Sequence, residues 1–291
     1  VAEWSTSSAS LRSVSFSLII MGEVALPNPF FARFPQTLEL GQTLSVFGVL
    51  SFNATLVSLK LMAGGPNGRI LRKDLRFDNN ELDLNNGLPF AWDSLGVKPG
   101  KLIELRIRVR QDMFELRING SRLTDIKHGG NFNDINCFEV SGGIQHTKIG
   151  LRGKDYPETF SGTFPHGALS IGEKVEAYVT LTGKEFSFNF LDGEDTLLHW
   201  KPHINGNKQT IVRNYRVGGG GWPKEENNET PKPFPIKKNV GFHVTFIYEE
   251  KQFNISINGE PLEPFAHLFP ERTYKSIEIR GNVTMESLDI R

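Results

Sequence analysis

Cysteine is nearly absent: Cys137 stands alone among 291 residues, so no intrachain disulfide can close and no metal site built from several thiolates can form. Net charge is lacking too. The 33 Lys plus Arg balance 33 Asp plus Glu, leaving no long-range field to gather nucleic acid or an anionic membrane. A neutral partner is expected, and nucleic acid is not. Long apolar runs are also missing. The most apolar stretch, SFSLIIMGEVAL from Ser15 to Leu26, falls well short of the ~20 residues a membrane helix requires, so no membrane insertion is expected. There is no G-x-S-x-G elbow, no P-loop, no H-E-x-x-H helix and no sustained helical period.

What is present is Phe at 22 copies and Gly at 29, with apolar alternations of period two joined by turn residues. An all-β protein follows, and its length suits two domains. The first residue is Val1, as expected of a processed or excised part of a longer product with any leader or anchor outside it. Glycosylation acceptors of the form N-x-S/T occur at Asn53, Asn119, Asn228, Asn254 and Asn282. Chance alone would supply some of these, but five favour an extracellular or secretory-pathway location.

The chain repeats. Phe114-x-Leu116-x-Ile118-Asn119-Gly120, with Leu123 and His128, recurs 139 positions later as Phe253-x-Ile255-x-Ile257-Asn258-Gly259, with Leu262 and His267. Each copy runs into Asn-Gly, the strongest short signal for a hairpin with a type I′ turn. Near the start of each half the shift is smaller: Phe34-Pro35 answers Phe164-Pro165, and Trp92 answers Trp222, at 130 positions. Between the tryptophan and the Asn-Gly hairpin the second half therefore carries nine more residues. The joint is expected around Gly150 to Pro157. Two tandem antiparallel β-sandwich domains are the reading, residues 1–152 and 153–291. Residues 1–27 have no counterpart, although Val14-x-Phe16-x-Leu18-x-Ile20 alternates as an edge strand would.

Polar groups suited to sugar hydroxyls gather in the second half. In LLHWKPHI, His199, Lys201 and His203 share one strand face, since side chains alternate with period two. Asn214 lies on the next strand, and Trp222 and Glu225 follow the glycines Gly218 to Gly221. Hydroxyls need fixed donors and acceptors, and the apolar face of a pyranose needs a flat aromatic ring.

At these residues the chain resembles the galectin family, whose site reads H-x-N-x-R, then V-x-N, then W-x-x-E-x-R. In the second half His199, Val212-x-Asn214, Trp222 and Glu225 fit, while Lys201, His203 and Asn227 stand where the family has Asn, Arg and Arg. The resemblance implies jelly-roll sandwiches, no cofactor and no metal. It also implies β-galactosides on glycans or glycoproteins as ligands, with His199 and Asn214 bonding ring hydroxyls, Trp222 stacking and Glu225 orienting its basic neighbour. His203 cannot offer the guanidinium fork, and histidine as a residue type, unlike arginine, changes charge near neutrality, so an acid-responsive groove with charged His203 against Glu225 is expected.

The first half departs further. Arg72, Asp74 and Arg76 occupy the His, Asn and Arg places, and only Arg76 matches. Asn85 and Trp92 fall at suitable spacings for a second site, but the nine-residue shortfall removes the segment that would carry the glutamate. Asp74 is expected to pair with Arg76. His128 and His267 are expected in structural hydrogen bonds, and His243 facing solvent.

Catalysis is not expected. Asp192, Glu194 and Asp195 cluster in a turn, and no carboxylate pair spans the groove strands as a glycosidase needs. The rival to a lectin is a pair of sandwiches that have lost sugar binding and serve protein partners within a larger ectodomain.

Overall fold

The structure, a computed structural model, describes residues 18–21, 26–34, 37–64, 68–78, 81–84, 89–128, 131–223 and 227–291. The chain forms two compact units, one ending at Asp155 and the other beginning at Tyr156. Among the described residues all strand pairs are antiparallel. In the first unit one sheet runs Leu18–Met21, Ile144–Arg152, Thr43–Leu50, Leu102–Val109, Met113–Ile118, Ser121–Lys127. The other runs Phe30–Arg33, Ile135–Gly142, Leu56–Ala63, Arg69–Asp78, Glu81–Asp83, Phe90–Ala91. The alternation before Met21 thus yields an edge strand at Leu18–Met21, while Val14 and Phe16 lie outside the described residues. The strand Ile144–Arg152 pairs with Thr43–Leu50 through Gly150 and Leu151, and the division between the units falls within the expected stretch, between Asp155 and Tyr156.

In the second unit two strands are long enough to serve both layers. Lys174–Asp192 pairs with Gly241–Tyr248 through its first part and with Asp195–Asn205 through its last, and Ser276–Ile290 follows it along both. The two change register between Leu181 and Phe186, where Gly281 has φ +110° and a Cβ would lie 2.8 Å from the Phe186 Cα. Only glycine lets the strands cross there.

Period-two alternation fills each core. Trp200, Phe188, Phe190, Phe246 and Phe253 are fully buried in the second unit, as Phe114, Phe138 and Leu50 are in the first. Both Asn-Gly pairs adopt left-handed φ, +47° and +81° at Asn119-Gly120 and +52° and +84° at Asn258-Gly259, as a type I′ turn requires. Each asparagine Oδ1 accepts a backbone N–H from across the sheet at 2.9 Å, Glu104 in one unit and His243 in the other. His128 and His267 likewise each place Nε2 2.9 Å from a carbonyl eighteen residues back, Arg110 and Glu249. His243 does not simply face solvent: its half-buried ring meets Tyr178 edge-on, with centroids 4.7 Å apart.

Candidate carbohydrate site

Strand register builds the site in rows. His199 pairs with Asn189 on one side and Asn214 on the other, and Asn189 pairs with Glu278 beyond. Paired residues point to the same face, so four strands contribute side chains to one surface while Trp200 and Leu198 fill the core behind it. A cleft of about 440 Å³ opens here, lined by Glu185, Ser187, His199, Lys201, Asn214, Trp222 and Arg280 among others. That volume suits a small ligand.

Hydrogen bonds fix the state of His199. Asn189, 1% exposed, donates Nδ2 to Glu278 Oε2 at 2.9 Å and to Ser187 Oγ at 3.3 Å. Its Oδ1 therefore faces His199 Nδ1, at 2.6 Å, and that nitrogen must carry the hydrogen. Nε2 is left as a lone-pair acceptor. Burial pushes the His199 pKa down to about 4, with the charges of Lys201, Arg280 and Arg216 adding to the shift and Glu185 opposing it. The imidazole is neutral at physiological pH and can accept a hydroxyl.

Trp222 is 42% exposed. Its ring lies 4.5 Å from His199, centroid to centroid, and the Arg216 guanidinium sits 5.3 Å from it in a cation–π contact. The loop before it is pinned: the Gly218 N–H donates to Asp195 Oδ1 at 2.8 Å, and Arg272 bridges Asp192 at 2.9 Å and Asp195 at 2.7 Å. Asn214, 6% exposed, donates Nδ2 to the Pro223 carbonyl at 3.1 Å and accepts the Tyr215 N–H at 2.9 Å. It thus holds the tryptophan loop, with less capacity left for a ligand than the sequence reading gave it.

His203 is bonded to Glu185, Nδ1 to Oε2 at 2.6 Å, and Lys201 Nζ lies 3.7 Å from the same oxygen. The hydrogen bond from His203, reinforced by Lys201, holds the Glu185 carboxyl below the usual range against the effect of burial. Glu225, the expected partner of His203, lies outside the described residues, as does Asn85; of Asn227 only the backbone is described, in the strand Asn227–Glu229. Glu185, Asn189, Glu278 and Arg280 were not singled out from sequence. Their signal was present: they are the period-two residues of the neighbouring strands, and Glu278 is the repeat of Glu139.

The first unit aligns a different row. Glu139 pairs with Lys60 and Lys60 with Arg72, and Lys60 is ion-paired to Glu139. Asp74 bonds Arg72 Nε at 2.9 Å rather than Arg76, a correction to the expected pairing across the strand face. Trp92 also departs from the expected platform. It opens a short 3-10 turn, Trp92–Leu95, closed by Gly96 in the left-handed region, and its half-buried ring packs against the core and edge-on to Phe77 at 6.1 Å. The chain turns too soon after Trp92 to swing the ring out. Arg72 and Arg76 are exposed, while the Trp92 ring packs against the core.

Comparison with known proteins agrees with this architecture. A family profile described as "Galactoside-binding lectin" matches twice, over residues 29–151 and 159–290. The "32 kDa beta-galactoside-binding lectin" of Haemonchus contortus is 24% identical over 277 residues, which is 91% of this chain and 95% of that protein. Human "Galectin-4" is 24% identical over 90% of this chain and 95% of its own length. Among solved structures, galectin LEC-6 of Caenorhabditis elegans has a TM-score of 0.41 at 22% identity, covering 47% of this chain and 93% of that one. With a profile match across each half of a double antiparallel sandwich, the chain belongs to the galactoside-binding lectin family, the galectins, as a tandem-repeat member.

Proposed function

We propose that the protein is a non-catalytic lectin that takes galactose-type glycans through its second domain, residues 153–291. One observation carries this reading: a neutral imidazole held as a hydroxyl acceptor stands 4.5 Å from a half-exposed indole in a cleft of about 440 Å³. A hydroxyl acceptor beside a flat apolar ring is what a pyranose requires. The names of the matched relatives, β-galactoside-binding lectins among them, give the sugar class. The first domain, residues 1–152, lacks an acceptor imidazole at the corresponding row and is assigned little sugar affinity.

Catalysis is disfavoured on chemical grounds. A glycosidase acid needs a raised pKa, whereas hydrogen bonds from Lys275 and Arg272 hold Asp192 low and those from Arg272 and Gly218 hold Asp195 low, burial opposing both. Glu185 is also lowered. The engagement of Asn214 and His203 within the protein favours the second reading, a sugar-deficient module that binds protein partners.

We assign the chain to the secretory pathway or the extracellular space. The exposed acceptors Asn53, Asn254 and Asn282 support this. Asn119 does not, because its Nδ2 donates to the Leu95 and Gly96 carbonyls, each at 3.0 Å. A glycan array screened with the full chain, repeated with His199→Ala, tests the function. Galactoside signals lost in the variant support the lectin, and a blank array from folded protein overturns it in favour of the protein-binding reading.

A further inference from the structure

We propose that Asn205 is a site of spontaneous deamidation, converted through a cyclic imide to an aspartyl or isoaspartyl residue while the protein stays folded. The inference is independent of the lectin reading.

The chemistry needs only the chain and water. The Gly206 amide nitrogen gives up its proton and attacks Asn205 Cγ, and the new C–N bond closes the imide while the side-chain nitrogen leaves as ammonia. Water then opens the ring at either of its carbonyls. A neutral amide has become a carboxylate. Glycine in the following position favours the attack, because it places no Cβ in the path and leaves the backbone free to rotate.

The chain contains five Asn-Gly pairs, so residue type alone does not select among them. Asn67 and Asn86 lie outside the described residues. Asn119 and Asn258 are held against the reaction in the same way in the two units. Each has left-handed φ, +47° and +52°. The ψ of that region, about +50°, sets the next amide nitrogen nearly opposite Cβ, so attack requires the turn to be undone. Each also exchanges hydrogen bonds with the facing strand. Asn119 N–H donates to the Glu104 carbonyl and its Oδ1 accepts the Glu104 N–H, both at 2.9 Å, and Asn258 does the same with His243, also at 2.9 Å. Asn119 Nδ2 is bonded in addition to the Leu95 and Gly96 carbonyls.

Asn205 is under none of these restraints. It ends the strand Asp195–Asn205 and pairs with Lys208 across the hairpin, and Asn205, Gly206 and Asn207 are all exposed. Its φ lies outside the left-handed region, which in this turn is taken by Gly206 at +59°. Among the described residues the Asn205 amide has no hydrogen-bond partner. A Cβ built on Gly206 would meet nothing within 4 Å, so the imide has room to close. Period two sets Asn205 on the face of His199, Lys201 and His203, and the new carboxylate would stand at the far end of that row. An isoaspartyl link would also lengthen the main chain at the pair that closes the hairpin.

Incubating the full chain in mildly alkaline buffer tests the assignment, with conversion at each Asn-Gly read by peptide mass spectrometry and by labelling with an isoaspartyl methyltransferase. Folded protein, verified by its melting transition, is expected to convert Asn205 about tenfold or more faster than Asn119 or Asn258, since those two must first lose their hydrogen bonds. In concentrated urea, where the turns are undone, the three rates should draw within about threefold of one another. Comparable rates at the three positions in the folded chain overturn selection by the structure. An Asn205 that stays intact in folded protein while the urea-treated chain converts it overturns the site itself.

Discussion

Removing the Trp222 side chain separates a binding platform from a core residue. Trp222 is 42% exposed, so a little over half of the indole is shielded. Shielding about half of a ~250 Å² side chain at ~25 cal/mol/Å² gives an upper figure of ~3 kcal/mol for Trp222→Ala. The real cost is smaller, because unfolded chains already bury part of that area and the neighbours, Arg216 and His199, sit at the cleft edge where they can relax. A loss of ~1 kcal/mol is expected, or a fall of ~3–5 °C in the melting temperature of the second unit. Binding should suffer more: losing a stacked aromatic face costs ~1–3 kcal/mol, roughly a five- to 150-fold rise in Kd. Scanning calorimetry beside a galactoside titration reads both. A melting temperature lowered by more than ~10 °C would place the indole in the core, and an unchanged Kd would remove it from the site.

Three further outcomes follow from named contacts. His199 binds hydroxyls in its neutral form, and with a pKa of about 4 it takes up a proton only well below neutrality, so affinity should stay level from about pH 8 to 5 and fall as pH approaches 4. A fall centred near pH 6.5 in the titration would mean that His199 is not held as described. Arg272→Gln frees Asp195, which holds the Gly218 N–H, and should weaken galactoside binding about two- to fivefold, with Arg272→Lys restoring part of it. His146, 0% exposed, has its pKa lowered by burial against a backbone group of Pro27. Below about pH 6.5 the unfolded chain binds a proton that the folded unit resists, so first-unit stability should decline by up to ~1.4 kcal/mol per pH unit. His146→Phe should flatten that decline in urea unfolding curves recorded at several pH values.

The fold was legible because its signals are local and repeated. Asn119-Gly120 and Asn258-Gly259 announce their turns by residue type alone, and the alternations before them can lie only as strands with one buried face. The face of His199, Lys201 and His203 was legible for the same reason. Their partners were not, because register between strands distant in sequence is a tertiary fact: Asn189 and Glu278 stand 89 positions apart. Period two says that Asn189 and Ser187 share a face, but only pairing brings that face beside His199. The resemblance sets Glu225 against His203, whereas Glu185, 18 residues earlier on the neighbouring strand, is bonded to it across the sheet.

The contrast between Trp92 and Trp222 shows how a difference in length becomes a difference in chemistry. Both tryptophans follow strands on the same kind of sheet, and nothing in their residue type separates them. Trp92 comes straight after Phe90–Ala91, which is paired to Glu81–Asp83, and the chain must at once enter the turn closed by Gly96. The indole stays where that turn leaves it, against Phe77. In the second unit the strand Lys208–Arg216 ends before Trp222, and two left-handed glycines, Gly218 and Gly219, carry the chain away before Asn227–Glu229 returns to pair with Ile211–Arg213. The additional residues of the second half follow Trp222, and there the indole lies half-exposed beside His199. Lengthening the first domain after Trp92 would therefore expose the ring without creating a site, because Arg72, bonded to Asp74, stands where the acceptor imidazole is required.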